Sequence, residues 1–309
     1  RRSHLLPPNC WSPVSCRGSP NPGTAPHPPS HVGCARSLLA AACRGGCSCP
    51  QSGSRFGTLV GLSHHGQMQI VGVVVAGGSS VFTRSLQHGA DPHRLAWELG
   101  YRIVRPLSAT GHGDDLTFTV QVSAHGRKVS ERGTQRRRAL DPGLTEAEIG
   151  APLVRQRLAA YAIVLSDRGV LATEFAERTA VPGSWGLPGG GIDEGENPSQ
   201  AVIREAIEET GQHIEIAHLL DIQTDHWIGR SPAGIIEDFH AVRIIYAATC
   251  PLPTDPVVND VGGTTASTRW VSLHQWQRMH WAAGTRALLD RHLVRLSMQL
   301  GYRRRWATG

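Results

Sequence analysis

Apolar and polar positions divide the chain into two patterned stretches. The first opens at Met68, where MQIVGVVVAG is an apolar run closed by Gly77-Gly78 and predicts a buried strand. Asp91-Pro92 then offers an N-cap followed by proline at the first helical position, and Gly100 a stop. RIVRPL at 102–107 and LTFTVQV at 116–122 predict two more strands. Residues 68–124 therefore read as a small β-α-β-β accessory module. They carry no evident chemistry, which favours a structural or dimerising appendage over a part in substrate recognition. Residues 125–144 are polar and charged, and predict a linker. From 145 to 297 the pattern is α/β. A hairpin is expected from AAYAIVL (159–165) and VLATEF (170–175), then a helix at 198–210. Strands are expected near 213–223 and 235–248, and a last strand at TRWVSL (268–273) runs into helical segments. The end, 298–309, is a basic tail.

The helix at 198–210 is the most informative element. Asn197 is a good N-cap, Pro198 suits the first turn, Gln200 completes a capping-box pattern, and Gly211 stops the helix. At 3.6 residues per turn, Glu205, Glu208 and Glu209 share one edge, next to an apolar face of Val202, Ile203, Ala206 and Ile207. Like charges at this spacing repel, and converging carboxylates raise one another's pKa unless a cation compensates. A solvated acidic helix face is the alternative. An all-oxygen donor set selects a hard ion, Mg2+ or else Mn2+. Glycines 189–191 would let the backbone come close to that ion or to a phosphate.

Composition changes the picture at the N-terminus. Residues 1–67 hold six of the 31 basic residues and no Asp, Glu or Lys, so the remainder balances at 25 basic and 25 acidic residues. The net charge of +6 is thus no sign of a nucleic-acid partner. Six of the seven cysteines lie in the first 50 residues without a paired C-x2-C spacing. This segment, rich in Pro, Ser, Gly and Arg, is expected to be a disordered extension. The body, with Cys250 alone, fits a reducing compartment, and a cytoplasmic location is expected. No apolar run reaches the length of a membrane span. Dimerisation is left open.

From Gly190 the chain reads G-x5-E-x7-R-E-A-I-E-E-T-G, with Glu196, Arg204, Glu205, Glu208, Glu209 and Gly211 in register. This resembles the Nudix box of the Nudix hydrolases. One position departs from it: Gln212 stands where an aliphatic residue is usual. The hairpin, WGLPGG, the strand ending at His240 and RWVSL extend the resemblance over about 145–297. It implies an α/β/α sandwich with a mixed sheet, here preceded by the β-α-β-β module. It also implies Glu208 and Glu209 as metal ligands, Glu205 as ligand or general base, and the Gly190 carbonyl as a further donor. Arg204 and Glu196 would be the supporting ion pair. The implied activity is Mg2+-dependent hydrolysis of a phosphoanhydride bond, in a nucleoside diphosphate linked to another group or in a nucleoside triphosphate. The alternative is a nucleotide-binding sensor without turnover.

Substrate choice needs residues outside the box, and no NADH-, ADP-ribose- or coenzyme A-type signature is present. TDHWIGRSPAG, 224–234, is expected as a surface loop. There Trp227 could stack on a base or cover a sheet edge, and Arg230 could pair with a phosphate. Glu237 and Asp238, pointing to opposite faces of a strand, could add a metal ligand or be edge charges. His226 and His240 read as packing or hydrogen-bonding histidines.

Overall fold

The computed structural model describes residues 67–126, 139–231 and 233–302. The expectations of a disordered extension, of most of the linker and of the basic end of the tail fall on residues outside these. The accessory segment begins with β1 (Gln69–Val73), β2 (Ser80–Ser85) and α1 (Pro92–Glu98). It ends with β3 (Tyr101–His112) and β4 (Asp115–Ala124). Its sheet runs β2-β1-β4-β3, with β1 and β4 parallel and the other pairs antiparallel. β2 is a strand that the hydrophobic pattern does not predict. It is an edge strand with one buried residue, Phe82, so it lacks the alternation that marks a half-buried strand. Asp91 caps α1 as expected, its side chain accepting from the Arg94 amide.

The second sheet follows β5 (Ala139–Leu140) and α2 (Glu146–Gly150) with β6 (Leu153–Ser166), β7 (Gly169–Phe175), β8 (Trp185–Gly186) and β9 (Gly189–Gly191). Then come α3 (Pro198–Thr210), β10 (Glu215–Arg230), β11 (Ile236–Thr249), β12 (Thr265–Val271) and α4 (Ala283–Gln299). The order is β12-β7-β6-β11-β10-β5, with β8 on β7 and β9 on β6. β6 and β11 run parallel, as do β5 and β10. Alternation along β6 places Leu158, Ala160, Ala162 and Val164 against α3 residues Ala201, Val202 and Ala206. Ala159, Tyr161, Ile163 and Leu165 pack instead with Leu288, Leu289 and Leu293 of α4. The two helices therefore cover opposite faces, which is the expected α/β/α sandwich with a mixed sheet.

The α3-side core does not stop at the sandwich. Ile70, Phe82, Leu116, Phe118, Val120 and Val122 of the accessory segment belong to the same buried cluster. Phe118 is fully buried. Truncating it to alanine is expected to cost about 3–5 kcal/mol. Because the cluster is shared, calorimetry should show both sheets melting together at a lower temperature, not a separate early transition of residues 67–126.

β10 extends through Arg230, past the predicted end at 223, so the expected loop at 224–234 is mostly strand. Its polar residues, which read as loop in the sequence, pair across to β11: Trp227 opposite Phe239, His226 opposite His240. A tight turn remains, where the Gly234 and Ile235 amides bond the Ser231 carbonyl and hydroxyl.

Candidate active site

The site is built where β9 meets α3. β9 pairs with β6 in the register Ala160 to Gly190, which fixes the glycine strand against the sheet. Gly189 has φ of 140°, and a β-carbon there would lie 2.2 Å from the Ala160 carbonyl oxygen. Only glycine makes that approach without strain. α3 begins with the full capping box between Asn197 and Gln200 and ends at Gly211 in the left-handed region, as expected.

Glu209 is buried and points back at the glycines. Its Oε2 accepts from the Gly189 amide at 3.0 Å, and its Oε1 from the Thr265 hydroxyl at 2.6 Å. Burial, and next the nearby Glu205 charge, push its pKa up to about 8, against those two hydrogen bonds. Glu205 lies on the bare α-carbon of Gly190, where an added β-carbon would stand 2.3 Å from its Oε1. Burial raises the Glu205 pKa as well, more than Arg204 lowers it. Glu208 is half-exposed at the rim of the same helix edge.

Arg204 ties the parts together. Its Nε and Nη2 donate to the two Glu196 oxygens at 3.0 and 2.9 Å, and Nη2 also to the Gly191 carbonyl at 3.0 Å. Nη1 donates to Glu208 at 3.1 Å and lies 3.1 Å from Glu205 Oε1. The bond to Glu196 and the surrounding carboxylates raise the Arg204 pKa despite partial burial. Burial would raise the Glu196 pKa, but Arg204 and the Asp193 amide hold it below the ordinary value. The fork geometry of arginine suits this bidentate task. From the accessory segment, the Gly113 amide donates to the Glu196 carbonyl at 3.0 Å.

The structure thus brings together Glu196, Arg204, Glu205, Glu208, Glu209 and Gly190. The oxygens of the three α3 carboxylates do not all come within 4.8 Å of one another. Arg204 draws Glu205 and Glu208 one way, while Gly189 and Thr265 hold Glu209 the other. Thr265 was not anticipated, since nothing in a strand threonine signals a carboxylate partner. Gln212 is buried yet satisfied. Its amide donates to the Thr210 carbonyl and the Thr254 hydroxyl, and accepts from the Thr254 amide. That is how a polar residue is accommodated at this position.

The three substrate candidates sit elsewhere. Trp227 packs on Phe239 with ring centroids 4.7 Å apart. Arg230 donates to Glu148 at 2.7 Å, and Glu237 accepts from Arg155 at 2.9 Å. Strand register aligns Phe239 with Arg155 and Glu237 with Leu153 on β6. At ~3.3 Å per residue these lie roughly 15–25 Å along β6 from Gly190.

Residues 155–292 match the family model of the NUDIX domain. Over these residues, a little under half of its length, the chain is similar to the NUDIX family. Among curated proteins it resembles Nudix hydrolase 26, chloroplastic, of Arabidopsis thaliana, 51% identical over 53 residues, or 17% of this chain and 23% of that protein. It also resembles the RNA pyrophosphohydrolase of Helicobacter pylori (strain P12), 40% identical over 84 residues, or 26% of this chain and 52% of that protein. The chain matches about half or less of the length of these relatives. Among solved structures it resembles a MutT NUDIX hydrolase from Burkholderia pseudomallei, 26% identical. That match covers 45% of this chain and 98% of the other, with a TM-score of 0.35.

Within this NUDIX domain, Gly190→Ala is a specific probe. The methyl group would evict Glu205 from its seat without touching the strand pairing. For a hydrolase, the expected result is a loss of activity of about 10–100-fold with little change in melting temperature, checked by steady-state kinetics and calorimetry.

Proposed function

We propose that the chain is a divalent-metal-dependent pyrophosphohydrolase. Its substrate would be a nucleoside diphosphate linked to another group, or a nucleoside triphosphate, and its metal Mg2+ or else Mn2+. One observation carries this reading: a buried carboxylate, Glu209, and a partly buried one, Glu205, are held against a glycine strand at raised pKa. Burying neighbouring negative groups is unfavourable unless a cation joins them. The donors present fit a hard cation: Glu205, Glu208, Glu209 and the Gly190 carbonyl are all oxygen. When bound, the ion would supply Lewis-acid polarisation of the diphosphate.

The chain's own residues do the rest. Arg204, held by Glu196 and the Gly191 carbonyl, fixes the rotation of α3 and the aim of its carboxylates. Glu205, with its raised pKa, would take a proton from the attacking water. The water oxygen then bonds to phosphorus as the bridging P–O bond breaks in line, and the second phosphate leaves with that electron pair. The names of the curated relatives, RNA pyrophosphohydrolase among them, support pyrophosphate chemistry. The free, buried Cys250 accords with a cytoplasmic setting. No helix of the described residues is long and apolar enough to cross a membrane.

The test is incubation of the full chain with Mg2+ or Mn2+. The panel holds nucleoside diphosphate derivatives, nucleoside triphosphates and a 5′-triphosphorylated oligoribonucleotide, and products are separated chromatographically. Release of monophosphate or pyrophosphate only with metal is expected. Binding without turnover on every substrate would replace this reading with the nucleotide-sensor one.

A further inference from the structure

A second group of ligand-type side chains lies away from the box. His88, in the β2–α1 loop, His226 of β10 and Asp238 of β11 place one ligand atom each within 4.8 Å of one another. Among the described residues they are the one set of three His, Cys, Asp or Glu that do so. Both histidines aim Nε2 at the same carboxylate oxygen, Asp238 Oδ1, at 3.1 and 2.5 Å. The rings of His88 and His226 meet edge to face, with centroids 5.2 Å apart. The loop reaches this position through Gly89, whose φ is 74° and whose α-carbon abuts His226. A β-carbon there would stand 2.5 Å from Nδ1.

A third imidazole completes the wall. His240 stands opposite His226 in the β10–β11 register, with ring centroids 5.3 Å from His88 and 6.0 Å from His226. His240 Nδ1 donates to Gln156 Oε1 at 3.1 Å. That bond leaves the lone pair on Nε2, which is buried and has no hydrogen-bond partner.

We propose that His88, His226 and Asp238 bind a divalent transition metal of the Zn2+ class, flanked by His240, which pins the accessory segment to the NUDIX sheet. The donors are imidazole nitrogen and carboxylate oxygen, which suit Zn2+ rather than the hard ion of an all-carboxylate site. Ligand atoms about 3.3 Å apart, as metal–ligand bonds of about 2.0–2.1 Å require in a tetrahedron, need only small movements here. His88 is the accessory segment's contribution, so occupancy cross-links the two sheets. The cluster lies at Gln156 on β6, about 13 Å along the strand from Gly190, and is independent of the box.

The experiment loads the full chain with ZnCl2, dialyses it against metal-free buffer and counts zinc by mass spectrometry. Zinc K-edge absorption then reads the ligands, because six cysteines lie in residues 1–50. The wild type and Glu209→Gln should each retain about one Zn2+ with nitrogen and oxygen ligands only. His88→Gln and Asp238→Asn should retain at least tenfold less, with unchanged circular dichroism, and should lose the zinc-dependent rise in melting temperature. His88 is partly exposed, so its variant tests binding without a packing defect. Sulfur ligation, retention in His88→Gln, loss in Glu209→Gln, or no retained zinc in the wild type would each overturn the proposal.

Discussion

Glu209→Gln is expected to reduce the proposed metal-dependent hydrolysis by at least about 1000-fold while leaving the fold intact. The amide has the shape of the carboxylate, so its oxygen can still accept from Gly189 N–H. Its nitrogen can donate to the Thr265 hydroxyl, reversing the present bond. What disappears is the charge. With half-exposed Glu208 left to Arg204, the remaining carboxylates no longer surround a cation site. Single-turnover kinetics with saturating Mg2+ would measure the loss, and matching circular dichroism spectra of the two proteins would show that structure is not the cause. Activity within tenfold of wild type would remove Glu209 from the metal set.

The same carboxyl sets a pH dependence of stability in the metal-free chain. Its pKa in the folded state, about 8, lies above its ordinary value of 4.5. The folded chain therefore binds this proton more tightly than the unfolded chain does. The stabilisation is complete below about 4.5, declines as pH rises, and is gone above about 8. Glu205, also raised, acts in the same direction. The total is on the order of a few kcal/mol, and each kcal/mol is worth about 2–4 °C in a chain of this size. Calorimetry in EDTA should show the melting temperature falling from pH 6 to pH 9. Mg2+ should restore it at pH 9, because the ion favours the ionised carboxylates. Glu209→Gln should flatten the profile. A melting temperature that rises with pH in EDTA would contradict the burial argument.

What was legible in the sequence was local. α3 could be read residue by residue because its cap, its first-turn proline, its apolar face and its terminal glycine all lie within one short segment. The box residues came with it, since helix geometry alone places Glu205, Glu208 and Glu209 on one edge. What was missed depends on partners distant in the chain. β2 and β5 are short and exposed, and exist because an edge was available to pair with. The end of β10 is polar in sequence but satisfied across the ladder by β11. Thr265 reaches Glu209 only after the sheet closes. His226 and His240 read as packing or hydrogen-bonding residues because their pairing needs a hairpin, and His88 arrives from the β2–α1 loop of the accessory segment. The D-x-H spacing of Asp238 and His240 puts both on one face of a strand, a signal that was present but weak on its own.

The contact between the Gly113 amide and the Glu196 carbonyl bears on how this gene can be cut. A library that clones residues 155–292 as a free-standing fragment would discard the β3–β4 hairpin that steadies the loop ahead of Arg204. It would also lay bare the side of the sandwich that Leu116, Phe118 and Val120 now cover. Such a fragment is expected to be sticky and inert, and its silence in a substrate screen would report the cut rather than the enzyme.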